Sequence, residues 1–152
     1  MERIASFTVD HNKLRPGLYL SRRDGDIVTF DLRFKTPNTG DLLSNSEMHS
    51  AEHLMATLLR NSPEKEAVIY FGPMGCQTGF YFLFDSRRLT CAQAVELLQR
   101  TFRQAGEFSG EMPGKSPAEC GNYMNLDLET GKAVCRWYAG LIADWTESRL
   151  AY

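Results

Sequence analysis

The clearest pattern along the chain is the alternation in Ile27-Val28-Thr29-Phe30-Asp31-Leu32-Arg33-Phe34, where Val28, Phe30, Leu32 and Phe34 fall on one face and Thr29, Asp31 and Arg33 on the other. A period of two predicts a strand with one face packed on a core. Its polar face reads as solvated, because antiparallel sheets commonly leave one side wet. Leu18 to Arg22 reads as the preceding strand, joined to it through Asp24-Gly25, a dipeptide of tight hairpin turns. Ala67 to Phe71 and Phe80 to Phe84 predict two more strands around a glycine-rich loop, and Ser6 to Asn12 starts as a strand that stops at the turn formers Asp10-His11-Asn12.

Three segments carry a helical period instead. Ser44 and Glu47 have the spacing of a capping box, and Pro63 closes the far end, which predicts a helix from Asn45 to Asn61. Thr90 and Gln93 repeat that signature ahead of a helix running to Gly106, with Val95, Leu98 and Phe102 on its inner side. A last helix is expected from Asp127 to Arg149, whose stripe of Val134, Trp137, Tyr138, Leu141, Ile142 and Trp145 suits core or dimer contact. Repeats, low-complexity runs and linkers are absent.

Composition narrows the partners. A chain of 152 residues suits one domain, and a formal charge of -2 with a pI of about 5.9 gives none of the basic character expected of a nucleic-acid binder. Without an apolar run long enough to span a bilayer, or a signal-peptide core after Met1-Glu2-Arg3, a cytoplasmic protein with no membrane partner is expected. Its four cysteines, Cys76, Cys91, Cys120 and Cys135, lack any CxxC spacing and are expected as thiols.

The chemistry concentrates in His49-Ser50-Ala51-Glu52-His53, which reads H-x-x-E-H inside the first predicted helix. Residues three and four apart share a helix face, so two imidazoles and one carboxylate converge: a pair of ligands for Zn²⁺ or Fe²⁺ and an adjacent acid or base. The helix is largely apolar, and burying unpartnered histidines is costly, which favours coordination. Cys120, beside Gly121 and just past a loop, is a natural soft third ligand, leaving one position open for substrate or water. Cys76 lies among Gly72, Gly75 and Gly79, in a setting that leaves a thiol reachable; a small buried cysteine is the plainer alternative. His11 reads as an ordinary exposed residue, and Cys91 and Cys135 as structural. A second class of function fits the same pentapeptide: an inverted-zincin metallopeptidase with a distant glutamate such as Glu129 as third ligand.

Five stretches in order carry a resemblance: Ser6-Phe7 with Asp10-His11-Asn12; Phe30-Asp31-Leu32-Arg33-Phe34 with Pro37-Asn38; His49-Ser50-Ala51-Glu52-His53-Leu54; Pro73-Met74-Gly75-Cys76-Gln77-Thr78-Gly79; and Cys120-Gly121. On these the sequence resembles the LuxS family, the S-ribosylhomocysteine lyases of the bacterial activated-methyl cycle. The resemblance implies a single-domain α+β fold, with an antiparallel sheet packed on helices, and a homodimer with active sites at the subunit interface. It implies His49, His53 and Cys120 as ligands of Fe²⁺, with Zn²⁺ a common substitute, and Glu52 and Cys76 as the acid/base pair. Ser6, His11 and Arg33 become substrate-binding residues, Ser6 and His11 reaching into the partner's site. The implied products of S-ribosylhomocysteine are homocysteine and 4,5-dihydroxy-2,3-pentanedione, a quorum-signal precursor, formed by enolisations and β-elimination. Tyr70 departs from the family pattern, where a shorter acidic residue occurs, as does Lys35, where a small one can.

Overall fold

Alternation does put Val28, Phe30 and Leu32 on the core side of a strand, β2 (Ile27–Arg33), which pairs antiparallel with β1 (Gly17–Asp24) and with β4 (Gly79–Asp85). The computed structural model describes residues 1–152. With β3 (Val68–Pro73) on the far side of β4, the sheet has the order β1-β2-β4-β3 and is antiparallel throughout. Gly25 takes φ +60° in the β1–β2 turn, the left-handed conformation that the Asp-Gly signal anticipates.

The helices α1 (Asn45–Arg60), α2 (Cys91–Gly106) and α3 (Leu128–Leu141) form a layer on one face of the sheet. Both expected capping boxes are present, Ser44 with Glu47 and Thr90 with Gln93, so the helix starts are set by local chemistry. Aromatic rings bind the layers: Phe34 stacks on Tyr138 with centroids 4.0 Å apart and meets Phe80 edge-on at 5.0 Å. One contiguous core joins the sheet to all three helices, which makes the chain a single α+β domain. No helix is long and apolar enough to cross a membrane.

Three expectations fail, each for a visible reason. Ser6 to Asn12 is not a strand: Ala5–Phe7 is a 3₁₀ turn, and the Asp10 carboxylate captures the Asn12 N–H at 3.0 Å, so local side-chain bonds replace ladder pairing. The last helix stops at Leu141, short of Arg149, because the Gln99 side chain on α2 donates to the carbonyls of Ile142 and Trp145 at 2.7 and 3.0 Å. A turn and the short 3₁₀ helix Glu147–Arg149 follow, and Trp137 of the expected stripe is 51% exposed.

The third failure bears on function. The polar face of β2 is not solvated: Thr29, Asp31 and Arg33 are 6%, 2% and 3% exposed. Ser6, Val9 and His11 from the N-terminal segment, and Tyr152 from the other end of the chain, lie over it. Burial of the two charged groups is tolerated because Asp31 and Arg33 satisfy each other, while the Thr29 hydroxyl has no partner.

Candidate active site

Helix periodicity brings His49 and His53 together on α1, with ring centroids 4.7 Å apart. Cys120 approaches from the segment before α3, its Sγ 3.3 Å from His49 Nε2, and one donor atom from each of the three residues lies within 4.8 Å of the others. A tetrahedral ion about 2.3 Å from sulfur and about 2.0 Å from nitrogen would set its ligand atoms roughly 3.5 Å apart. The 3.3 Å between His49 Nε2 and Cys120 Sγ is close to that spacing.

The outer contacts decide the tautomers. His53 Nδ1 lies 2.9 Å from the Pro113 carbonyl oxygen, which can only accept, so Nδ1 carries the proton and Nε2 keeps its lone pair. His49 Nδ1 is 3.0 Å from Asn125 Oδ1 and is fixed the same way, with Nε2 turned to the sulfur. The Asn122 N–H donates to Cys120 Sγ at 3.4 Å. Gly114 has φ +69°, and a Cβ there would sit 2.8 Å from His53 Nδ1, so the chain passes this imidazole where only glycine fits. Two imidazole nitrogens and a sulfur, each held by a second contact, fit a divalent ion. Glu52, half-buried, precedes His53 on the same helix.

Glu129 does not join this group. It is exposed in the first turn of α3 and stands 3.6 Å from Lys132 Nζ, so a peptidase ligand set built on it is not formed.

The remaining candidates gather on the outer face of the sheet. Asp31 holds Arg33 through two bonds, Nε to Oδ1 at 3.1 Å and Nη2 to Oδ2 at 2.6 Å. With its position fixed, Arg33 donates from Nη1 to Thr78 Oγ1 at 2.7 Å and stands 3.9 Å from Cys76 Sγ. Thr78, accepting from Arg33, keeps its own hydrogen for the sulfur 3.0 Å away. Cys76 is exposed on its loop, as the glycines suggest, with its sulfur between the Arg33 guanidinium and the Thr78 hydroxyl. Cys135 differs: burial pushes its thiol up to about 12, which suits an inert core position. Ser6, His11, Asp31, Arg33, Tyr81 and Tyr152 line one small concavity on this face.

Thus the chain forms two groups, the His49/His53/Cys120 cluster in the helix layer and Ser6, His11, Arg33 and Cys76 on the opposite face of the sheet. No hydrogen bond joins them within one copy. Sequence reasoning missed Asp31, Thr78, Asn125 and Pro113. For Thr78, its place in the Cys76-Gln77-Thr78-Gly79 motif was a usable signal; for Asn125 and the Pro113 carbonyl there was none, since they meet the histidines across 76 and 60 residues of chain.

Comparison with known proteins agrees with this chemistry. Residues 4–148 match the S-ribosylhomocysteinase (LuxS) family. The chain is 42% identical to the S-ribosylhomocysteine lyase of Clostridium acetobutylicum, covering 100% of this chain and 99% of the relative. Identity is 47% with the S-ribosylhomocysteine lyase of Phocaeicola vulgatus over 87% of this chain and 84% of that one, and 40% with that of Borreliella burgdorferi over 100% and 99%. Matched over nearly its whole length and at such identity, the chain belongs to the S-ribosylhomocysteinase (LuxS) family.

Proposed function

We propose that the protein is a metal-dependent carbon–sulfur lyase that cleaves S-ribosylhomocysteine to homocysteine and 4,5-dihydroxy-2,3-pentanedione. The observation that carries the reading is the convergence of His49, His53 and Cys120 donor atoms within 4.8 Å, with Glu52 one residue from a ligand. His49, His53 and Cys120 hold the ion, Fe²⁺ in the cell with Zn²⁺ as a substitute. When bound, it supplies a Lewis acid that polarises the carbonyl and hydroxyl oxygens of the sugar.

The protein's own residues supply proton transfer. A thioether leaves readily only from the carbon β to a carbonyl, and the carbonyl of the ribose starts further away. It must move along the chain by two enolisations, each taking a proton from one carbon and returning one to its neighbour. A final proton abstraction then expels the thiolate, which is protonated to homocysteine. Glu52 and Cys76 are groups able both to take and to return protons. Arg33 and Thr78 hold the sulfur of Cys76 in place, while Ser6 and His11 anchor the substrate.

The separation of the two groups within one chain supports a homodimer, in which the outer sheet face of one copy completes the metal cluster of the other. Ile4 and Phe7, flanking Ser6, are 54% and 63% exposed, and an apolar partner surface would cover them. A cytoplasmic setting would keep Cys76 and Cys120 reduced. The diketone would then be available as a signal precursor while homocysteine returns to the methyl cycle.

Two measurements test this reading. Purified, metal-loaded protein mixed with S-ribosylhomocysteine is expected to release one free thiol per substrate consumed; substrate left intact overturns the proposal. Asn125→Ala, which frees the His49 ring, is expected to weaken metal retention by about 10- to 100-fold against a competing chelator. An unchanged competition curve would remove Asn125 from the site.

A further inference from the structure

Tyr152, the last residue of the sequence, is placed with unusual care for an exposed position. Its ring stacks on Tyr19 with centroids 5.1 Å apart and planes 18° from parallel. Two residues earlier, the buried Leu150 gives its carbonyl to the Leu20 N–H at 2.7 Å, which ties this segment to β1. The Tyr152 hydroxyl then donates to Asp31 Oδ2 at 2.8 Å. Arg33 Nη2 reaches the same oxygen at 2.6 Å, and the other side of that guanidinium faces Thr78 Oγ1 and Cys76 Sγ. A continuous line of polar contacts therefore runs from the phenol to the reactive thiol.

We propose that Tyr152 is a positioning residue, whose hydroxyl shares the charge of Asp31 so that Arg33 keeps its free side and its positive field directed at Cys76. Without the phenolic donor, Oδ2 has Arg33 as its only strong partner. The carboxylate then draws the guanidinium inward and offsets more of its charge, and the thiolate at Cys76 is less favoured. The other ionisable groups around this line are Tyr19 and Arg22 of β1, Tyr81 of β4, Asp10, His11, Lys13 and Arg15 of the N-terminal segment, and Arg149. Burial and the charge of Asp31 hold the phenols of Tyr19, Tyr81 and Tyr152 above the ordinary tyrosine range, most strongly that of Tyr152, which stays a donor.

The catalytic consequence rests on the lyase reading; the state of the thiol does not. Tyr152→Phe keeps the stacked ring and removes only the hydroxyl. In metal-loaded protein, alkylation of Cys76 by iodoacetamide, read by peptide mass, is expected to slow about threefold at pH 7. At pH 10 the variant and the parent are expected to react alike. The kcat at pH 7 is expected to fall about threefold with KM held. Equal rates at pH 7, or the same loss at both pH values, overturn the proposal, the second because it reports altered access. Should the phenylalanine variant fail to fold, Asp31→Asn removes the charge that offsets Arg33, so alkylation of Cys76 at pH 7 is expected to rise above the parental rate; a parental or slower rate refutes the proposal. A parent protein inert toward S-ribosylhomocysteine but showing the alkylation difference would overturn the lyase reading alone.

Discussion

Cys120→Ala is expected to give a folded protein that no longer retains its metal, with affinity lowered by more than about 100-fold, beyond the effect of removing a supporting partner. Cys120 is half-buried in an irregular segment, and its Sγ contacts His49 Nε2 and the Asn122 N–H, so the substitution removes no large apolar contact. What is lost is the one soft, anionic donor of the set. Two neutral imidazoles on one helix remain, and a bidentate pair holds a divalent ion far less firmly than three protein ligands. Metal content after dialysis, alongside the melting of metal-stripped parent protein, checks both halves of the statement. A variant that keeps a full equivalent of metal would remove Cys120 from the ligand set.

Glu52→Gln should behave in the opposite way, keeping its metal and losing turnover by about 10²- to 10⁴-fold, the usual contribution of a positioned acid/base group. Glutamine preserves the shape and the helix propensity but cannot exchange a proton. His49 and His53, held by Asn125 and Pro113 and not by Glu52, have no reason to move. The loss belongs in kcat. Near-parental turnover in a metal-replete Glu52→Gln protein would refute its assignment as proton carrier, and equal loss of metal would make it a structural residue of the centre.

The parts of this protein that were legible in the sequence are those governed by neighbours. Capping boxes at Ser44 and Thr90, the Asp24-Gly25 turn, the inward face of β2 and the i, i+4 pair of histidines each involve residues a few positions apart. Where distant chain intervenes, reading along the sequence fails. The alternation of β2 identifies which residues share a face, but it cannot tell whether that face meets water or two ends of the chain. So Asp31 and Arg33, solvated by expectation, form a buried pair. In the same way an apolar stripe continues past Gly140, whereas the helix ends where Gln99 competes for its carbonyls. The cluster of His49, His53 and Cys120 was accessible from spacing and donor chemistry together, while the groups that orient it were not, because they come from Pro113 and Asn125.

Those two outer contacts have a consequence for the order of the chain itself. From Gly110 to Leu126 there is no strand or α-helix, only the 3₁₀ turn Tyr123–Asn125, and Met112 and Leu126 are its buried apolar anchors. Between those anchors the segment is fastened to α1 by Pro113 on His53, Asn125 on His49 and Ser46, and Cys120 on His49. Fixing each residue of such a stretch costs about 1–2 kcal/mol of backbone entropy. An ion gripping the two histidines and Cys120 would therefore act as a clasp on a long loop, so its apparent affinity includes the work of ordering that loop, and amide protection from Gly110 to Leu126 should rise and fall with metal occupancy.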